Sequence, residues 1–403
     1  AAGLWHRLGR LLLFGRDRRR LDWLAGVART EGAHAAGFEV LASTEISACA
    51  AQQPDWVFNQ IRFGGLTQRD LDERLALAHG LVADETLGLV GVSNALRTLQ
   101  GLRPLVEALA STREPPRWIN FTNPCSLVTQ FLCERLGPDR VMGLCDYPEV
   151  FRRRIAAFLG QPLATLEMDY LGLNHMAFVH GLRAQGRDLL PGLLARAAAF
   201  EPGLPAQARH PVLLVPSWAQ VFHHDALLKR QTAARNRAGL LLDLERECEA
   251  LLDTGQRDPA AHRAVLARRR CDWYALAVAP LLQAGLGSPG AEAVINLDAG
   301  PLFGPARRPC VVETQAWVSS AGAQALRPAP AALSELPVWQ LCAQAKAAEY
   351  ALLDALLQQD GRAVLDAAAA HPMVQAPAAV RPYFRQLAAA DPQVAAFFAG
   401  VPL

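Results

Sequence analysis

Apolar residues along the chain fall alternately into short strand-like runs and longer stretches of helical period, the alternation from which α/β folds are built. The run at 11–14 (LLLF) is followed by an amphipathic helix starting near Arg18, whose period predicts burial of Leu21, Leu24 and Val27. A further strand is expected at 56–61, with apolar residues at 57, 58 and 61, and Gly64-Gly65 breaks it into a loop. Residues 94–107 have a helical pattern in which Pro104 marks a kink or a boundary. Residues 118–122 form a strand, and Asn123-Pro124 forces a turn at its carboxyl end. An apolar helix at 126–136 then returns the chain to a buried strand at 141–144. Beyond it come a basic amphipathic helix at 149–159 and a strand-like run at 166–173 that ends on Asn174-His175. From Pro337 onward the pattern is nearly all helical, with long amphipathic runs at 339–358 and 363–370.

A length of 403 residues suits two fused domains sharing one interior. The expected division is an α/β domain at 1–144 and a mixed α/β, mostly helical domain at 145–403. A formal net charge of +2, with basic residues dispersed among acids, gives no reason to expect nucleic acid. Lysine occurs only at 229 and 346, which leaves little scope for a P-loop or Schiff-base lysine. The eight cysteines are scattered without CxxC pairs, a spacing that fits a reducing compartment, so a cytoplasmic protein is expected. No apolar run approaches a membrane span, and the first residues lack the apolar core of a signal peptide; no membrane partner is expected.

The strand at 141–144 should deliver Cys145 and Asp146 to its carboxyl end, where open α/β sheets place their ligands, and the run at 166–173 delivers His175. A thiolate and an imidazole offer a soft sulfur and a borderline nitrogen to a divalent transition metal. Two protein ligands leave positions open for substrate, whereas a structural zinc site takes four. The alternative is a buried free cysteine and a packed core histidine. Asn123 can hydrogen-bond a hydroxyl group or cap a helix. Arg69 can grip a phosphate or pair along its helix with Asp72 or Glu73. Gly15-Arg16 at the end of the first strand can accommodate a 2′-phosphate or form a turn with an exposed arginine.

The segments LCDYP (144–148), GLNHM (172–176), INFTNP (119–124) and IRFGGLTQRDLDER (61–74) together resemble the signature segments of glycoside hydrolase family 4. Its members are NAD- and manganese-dependent 6-phospho-glycosidases and related α-glycosidases, exceptions to two-carboxylate glycoside hydrolysis. The resemblance runs in order from about Leu11 to AHPMV at 370–374. It implies an α/β fold in which a Rossmann-type sheet is followed by a mixed, mostly helical C-terminal domain, lactate/malate dehydrogenase-like in architecture. It also implies NAD, with NADP as the alternative, Mn²⁺, a phosphorylated sugar substrate and a homo-dimer or homo-tetramer. Carried over residue by residue, the resemblance makes Cys145 and His175 metal ligands and gives Asp146 and Glu85 catalytic roles. Arg69, Asn123 and Arg237 become sugar-phosphate contacts, and Gly15, Arg16, Arg62 and Asn123 contacts of the dinucleotide. The implied reaction oxidises the sugar at C3, removes the acidified C2 proton, expels the aglycone from C1, adds water and returns the hydride.

Several departures from the family pattern bear on that reaction. The family's glycine-rich phosphate turn has no match in these residues, and Ala1 would already lie in the first helix, so the expectation is either a fragment or a protein without that cradle. Gly15 stands where the family has a ribose-binding acid, and Asp84 precedes Glu85 where it has glutamine. The family's tyrosine-rich segment is matched by VPSWAQVFHHD (215–225), which puts Trp218 or Ser217 at the base position, with His223 and His224 nearby. At 268–282 the family's two glycines are lost, with Arg269 and Tyr274 as surviving functional candidates, and Asp298 replaces an asparagine. The expected function is therefore hydrolysis of 6-phospho-glucosides, most closely of the 6-phospho-β-glucosidase type. A paralogue that binds sugar phosphate and metal without turnover is the alternative. A 2-hydroxy-acid dehydrogenase is disfavoured, because LCDYP and GLNHM are not its catalytic motifs.

Overall fold

The computed structural model describes residues 5–32, 37–204, 209–254, 259–269, 273–287, 289–303 and 308–403. The first apolar run forms β1 (Arg10–Phe14), followed by α1 (Arg18–Gly32), β2 (Glu39–Ser43) and α2 (Ile46–Ala51). β1 and β2 pair in parallel as a two-stranded sheet of their own. The 11–14 run was expected inside a larger Rossmann sheet, but among the described residues only β2 pairs with it, so its other edge makes no ladder to the remaining strands. α1 buries Leu21, Ala25 and Ala28, while Leu24 is exposed and Val27 is only partly covered. The helical period was therefore right and the phase wrong: Ala25 and Ala28 pack on Val40 of β2, and small side chains carry little hydrophobic signal.

The parallel core continues with β3 (Trp56–Asn59), α3 (Gly65–Ala78), α4 (Gly88–Ala110), β4 (Arg117–Asn120), α5 (Cys125–Leu136) and β5 (Val141–Gly143). β3, β4 and β5 pair in parallel, with Asn59 opposite Asn120 and Asn120 opposite Gly143. Gly65, expected in a loop, is the first residue of α3; Gly64 takes a φ of 82° at its N-cap, where a Cβ would come within 2.8 Å of the Gln68 side chain. α4 runs on through Pro104 without a boundary. The burial of Leu102, Leu105, Val106 and Leu109 around the proline offsets its lost hydrogen bond.

After α6 (Tyr147–Leu159) the direction changes, and β6 (Leu166–Leu173) and β7 (Met176–Ala184) form an antiparallel hairpin extended by β8 (Arg187–Asp188). Short helices α7 (Leu190–Leu194) and α8 (Ala197–Phe200) lead to β9 (Leu213–Leu214), which pairs with β7. A helical excursion follows: α9 (Ala219–Phe222), α10 (His224–Thr232), α11 (Arg237–Asp253), α12 (Pro259–Ala267) and α13 (Trp273–Gly285). β10 (Ala291–Asp298), β11 (Val311–Ser319) and β12 (Gly322–Ala325) then complete the large sheet. Its main path among the described residues is β3-β4-β5-β10-β11-β6-β7-β8, so β10 joins the parallel strands to the antiparallel ones.

The C-terminal helices are α14 (Pro337–Gln358), α15 (Gly361–Ala370), α16 (Val380–Ala390) and α17 (Pro392–Phe397). α14 bridges the antiparallel hairpin and α5: the Cys342 thiol donates to the Met176 carbonyl at 3.3 Å, and two turns on Glu349 accepts from Ser126 Oγ at 2.9 Å. Among the described residues no helix is long and apolar enough to cross a membrane.

One buried ion cluster links these layers. Arg97 of α4 makes a two-pronged contact with Asp72 of α3, at 2.7 Å on each oxygen, and reaches Asp391 at 2.6 Å. Asp391 in turn caps α17, accepting from the Gln393 amide. Arg97 and Asp72 are 2% and 1% exposed, so removing the arginine would leave two carboxylates buried without a counter-charge. Arg97→Met is accordingly expected to cost about 3–5 kcal/mol of stability, read from urea denaturation.

Candidate active site

The carboxyl ends of β3, β4 and β5 lie side by side, and buried amides fix the loops that leave them. Asn59 Nδ2 donates to Asn120 Oδ1 at 2.9 Å, while Asn120 Nδ2 donates to the Thr122 carbonyl at 3.2 Å. This holds the turn that carries Asn123. The helix-capping role considered for Asn123 is not the one observed, since Pro124 occupies the N-cap of α5. Asn94 of α4 braces the turn from below: its Nδ2 donates to the Asn123 carbonyl at 3.0 Å and to the Glu85 carbonyl at 3.3 Å. The Asn123 side chain itself reaches Glu85.

Glu85 is the centre of a charged group formed by loops and one helix. Its Oε2 lies 2.6 Å from Arg62 Nη1 and 2.8 Å from Arg69 Nη1. Neither N–H is well aligned with that oxygen, so these contacts are Coulombic. Burial alone would push the Glu85 carboxyl up, but Arg62 and Arg69 outweigh it and hold it below the usual carboxylate range. Arg69 also donates to Glu73 Oε1 at 2.7 Å, along the helix as one of its alternatives expected. Glu73 Oε2 accepts from Asn236 Nδ2 and from the Ala238 amide, which ties α3 to the start of α11. Arg237 stands between those two residues, exposed, and its Nη2 donates to the Arg269 carbonyl at 3.4 Å. Arg69 and Arg237 are therefore neighbours across Glu73, each bonded to a protein group. On the other flank, Gly15 follows β1 and Arg16 lies over the Phe63 ring, with Nη2 donating to the Arg62 carbonyl at 3.4 Å.

The second group is built by β5 and the β6–β7 hairpin. Cys145 Sγ lies 3.6 Å from His175 Nε2 and 3.8 Å from Asp146 Oδ1. His175 sits at the hairpin tip with a φ of 62°, a left-handed conformation costly for a side-chain-bearing residue, and its ring stands 5.3 Å from that of Tyr147. Burial pushes the Cys145 thiol well above its ordinary value, with Glu313 and Asp146 adding to the shift. Burial likewise raises Asp146, opposed by His175 and Arg269. Among the described residues no group of three or more His, Cys, Asp or Glu forms a ready metal cage, so Cys145 and His175 stand as an open pair.

The segment matched to the family's tyrosines runs beside this hairpin. Trp218 is fully buried, and its indole N–H donates to the Ala177 carbonyl at 2.8 Å, two residues past His175. Gln220 Nε2 donates to Asp84 Oδ2 at 2.8 Å, which fastens the same segment to the Glu85 loop. His224 Nδ1 lies 3.2 Å from Asp225 Oδ1. The Tyr274 side chain lies outside the described residues. Sequence reading missed Asn94, Gln220 and Glu313, the last a fully buried acid next to this site. The available signal was a polar residue within an otherwise apolar run: Asn94 in LVGVSNAL and Glu313 in CVVET.

Residues 7–161 match the model of the family 4 glycosyl hydrolases. That segment is similar in sequence to the family. Among curated proteins it is 34% identical over 152 residues to the 6-phospho-beta-glucosidase BglT of Thermotoga maritima, which is 38% of this chain and 36% of that one. It is 30% identical over 195 residues to maltose-6'-phosphate glucosidase of Bacillus subtilis, 47% of this chain and 43% of the relative. The first of these alignments thus spans about a third of the relative's length. The folds agree much further. The 6-phospho-beta glucosidase of Thermotoga maritima, solved with NAD and glucose-6-phosphate, superposes with a TM-score of 0.80 at 21% identity, covering 96% of this chain and 92% of that one. A 6-phospho-alpha-glucosidase from gut microorganisms, solved with NAD and Mn²⁺, gives 0.78 at 18% identity, covering 94% and 91%. The Rossmann-type sheet with a mixed, largely helical C-terminal part is therefore the fold of these family 4 structures.

The charged group makes a pH-dependent prediction. A carboxyl held below its unfolded value adds stability that is present above about pH 4.3 and lost as the pH falls through the folded value. Glu85→Gln should cost about 1–3 kcal/mol near neutrality. The gap from the unaltered protein should close below about pH 4, which thermal unfolding across pH would record.

Proposed function

We propose that this chain hydrolyses the O-glycosidic bond of 6-phospho-glucosides by oxidation and elimination, using a nicotinamide dinucleotide and a divalent transition metal such as Mn²⁺. The observation that carries the reading is the Cys145–His175 pair, open-sided and set beyond the carboxyl end of β5, the strand next to the one that leads to Asn123. A sulfur and a ring nitrogen 3.6 Å apart could hold one divalent transition metal between them. When bound, the ion supplies Lewis-acid polarisation of a sugar carbonyl, and the nicotinamide accepts and returns a hydride.

The chain's own residues supply the rest. Cys145 and His175 would hold the ion, and Asn123, anchored through its carbonyl by Asn94, offers an amide to a sugar hydroxyl. Asp146, its carboxyl pushed up by burial and next in the chain to Cys145, is the candidate acid for the departing glycosidic oxygen. Arg69 and Arg237 flank the entrance beside Glu73, where a phosphate would share Arg69 with Glu73 and Glu85. Arg16 next to Gly15 suits a 2′-phosphate, which supports NADP as the alternative dinucleotide. The dispersed cysteines support a reducing compartment.

A second reading, binding of metal and sugar phosphate without turnover, is favoured by one observation. The 215–225 segment presents the buried indole of Trp218, its N–H already donated to Ala177, and an indole cannot take up the C2 proton. The two readings part in one assay: release of p-nitrophenol from α- and β-linked p-nitrophenyl glucoside 6-phosphates with Mn²⁺ and NAD or NADP. The expected result is measurable release that falls at least tenfold in Asp146→Asn. Tight binding of glucose 6-phosphate with no release would select the second reading, and equal calorimetric affinity for glucose and glucose 6-phosphate would sink both.

Metal binding carries its own expectation. Because burial holds the Cys145 thiol up, an incoming ion must displace its proton, and apparent affinity should rise by about tenfold per pH unit through the neutral range. Cys145→Ser should abolish that slope and most of the binding in a titration followed by calorimetry.

A further inference from the structure

Behind the Cys145–His175 pair, the strand register draws one line of residues across the sheet. Gly143 of β5 faces Asn296 of β10, Asn296 faces Glu313 of β11, and Glu313 faces Gly172 of β6. A Cβ on Gly143 would fall 2.2 Å from Thr129 Oγ1 and 2.9 Å from the Asn296 Cβ, so the line is packed tightly at this end. In its middle, among apolar strands, sits a carboxyl group with no exposure at all.

Glu313 accepts three hydrogen bonds: from the Tyr170 hydroxyl at 2.9 Å, Asn174 Nδ2 at 2.7 Å and Asn296 Nδ2 at 3.0 Å. Tyr170 and Gly172 alternate along β6 and Asn174 follows its last residue, so one donor comes from the strand and the other from the turn it leads into. Among the described residues no lysine or arginine forms an ion pair with Glu313. A buried carboxyl without such a partner is a poor source of stability, since apolar replacements of similar shape are commonly neutral or better. Its value must lie in what it orients. Glu313 Oε1 accepts from both amides, so Asn174 and Asn296 turn their NH₂ groups inward. Asn174 immediately precedes His175 in the hairpin turn. One amide thus joins Glu313 through the backbone to His175, whose Nε2 in turn lies 3.6 Å from Cys145 Sγ.

We infer that Glu313 is a positioning residue for the metal site, holding Asn174 so that the His175 ring and the Cys145 sulfur keep the separation an ion requires. The inference rests on the metal-dependent reading above. It assigns Glu313 no contact with the sugar and no step in the reaction. Outer partners of this kind typically alter metal affinity by about 10–100-fold.

The test is a titration of the metal-free full chain with Co²⁺, followed by calorimetry and by the thiolate-to-cobalt charge-transfer absorption, with thermal unfolding of the metal-free protein alongside. Glu313→Gln and Asn174→Ala are each expected to bind Co²⁺ about 10–100-fold more weakly and to change the charge-transfer band. The double variant should lose no more than the worse single one, because both substitutions break the same link. Affinities within twofold of the unaltered protein and an unchanged band would overturn the inference. Should Glu313→Gln not fold, Asn174→Ala decides on the same two outcomes. Failure of the unaltered protein itself to bind Co²⁺ would remove the metal reading, and this assignment with it.

Discussion

The parallel and antiparallel parts of the large sheet meet where β10 lies against β5, and the ladder there has a single registered pair, Asn296 opposite Gly143. Everything the site needs is measured from that pair. Two residues beyond Gly143 comes Cys145. Across Asn296 and Glu313 lies Gly172, three residues before His175. If β10 slipped by one position, the alternation of the strand would turn Asn296 to the other face and the sulfur and imidazole would lose their common frame. The close approach at Gly143, where only a hydrogen fits against Thr129 and Asn296, guards that register.

The architecture was legible where local pattern and tertiary packing agree. The strands ending before Asn123 and Cys145 and the hairpin strand before His175 stand within a few residues of where their apolar runs place them. Reading failed where the burying residue was small or the pairing remote. α1 rests on Ala25 and Ala28 while Leu24 faces solvent, and no periodicity separates those choices without knowledge of what lies opposite. Likewise, nothing local shows that the 11–14 strand pairs only with β2 among the described strands.

The candidate site was legible in its outer members and opaque in its supports. Motif matching proposed Cys145, His175, Arg69, Glu85 and Asn123, and the structure sets Cys145 beside His175 and both Arg69 and Asn123 beside Glu85. It could not find Asn94, Gln220 or Glu313, because each works through one specific hydrogen bond to a residue far away in sequence. It offered Glu73 as a partner of Arg69 but not the second carboxylate, Glu85, and the two together give the arginine a structural use as well as a proposed ligand.

The left-handed backbone of His175 has a consequence for how this sequence can drift. Glycine pays no steric penalty in that conformation and asparagine little, whereas a histidine there gives up on the order of 1 kcal/mol. Asparagine is a single base change from histidine and glycine two, so a lineage that had stopped using the imidazole would have a relaxing replacement within reach. The tip of the β6–β7 hairpin thus acts as a ledger of use, and in a set of natural variants of this chain, glycine or asparagine there would mark the lineages in which the site has fallen idle.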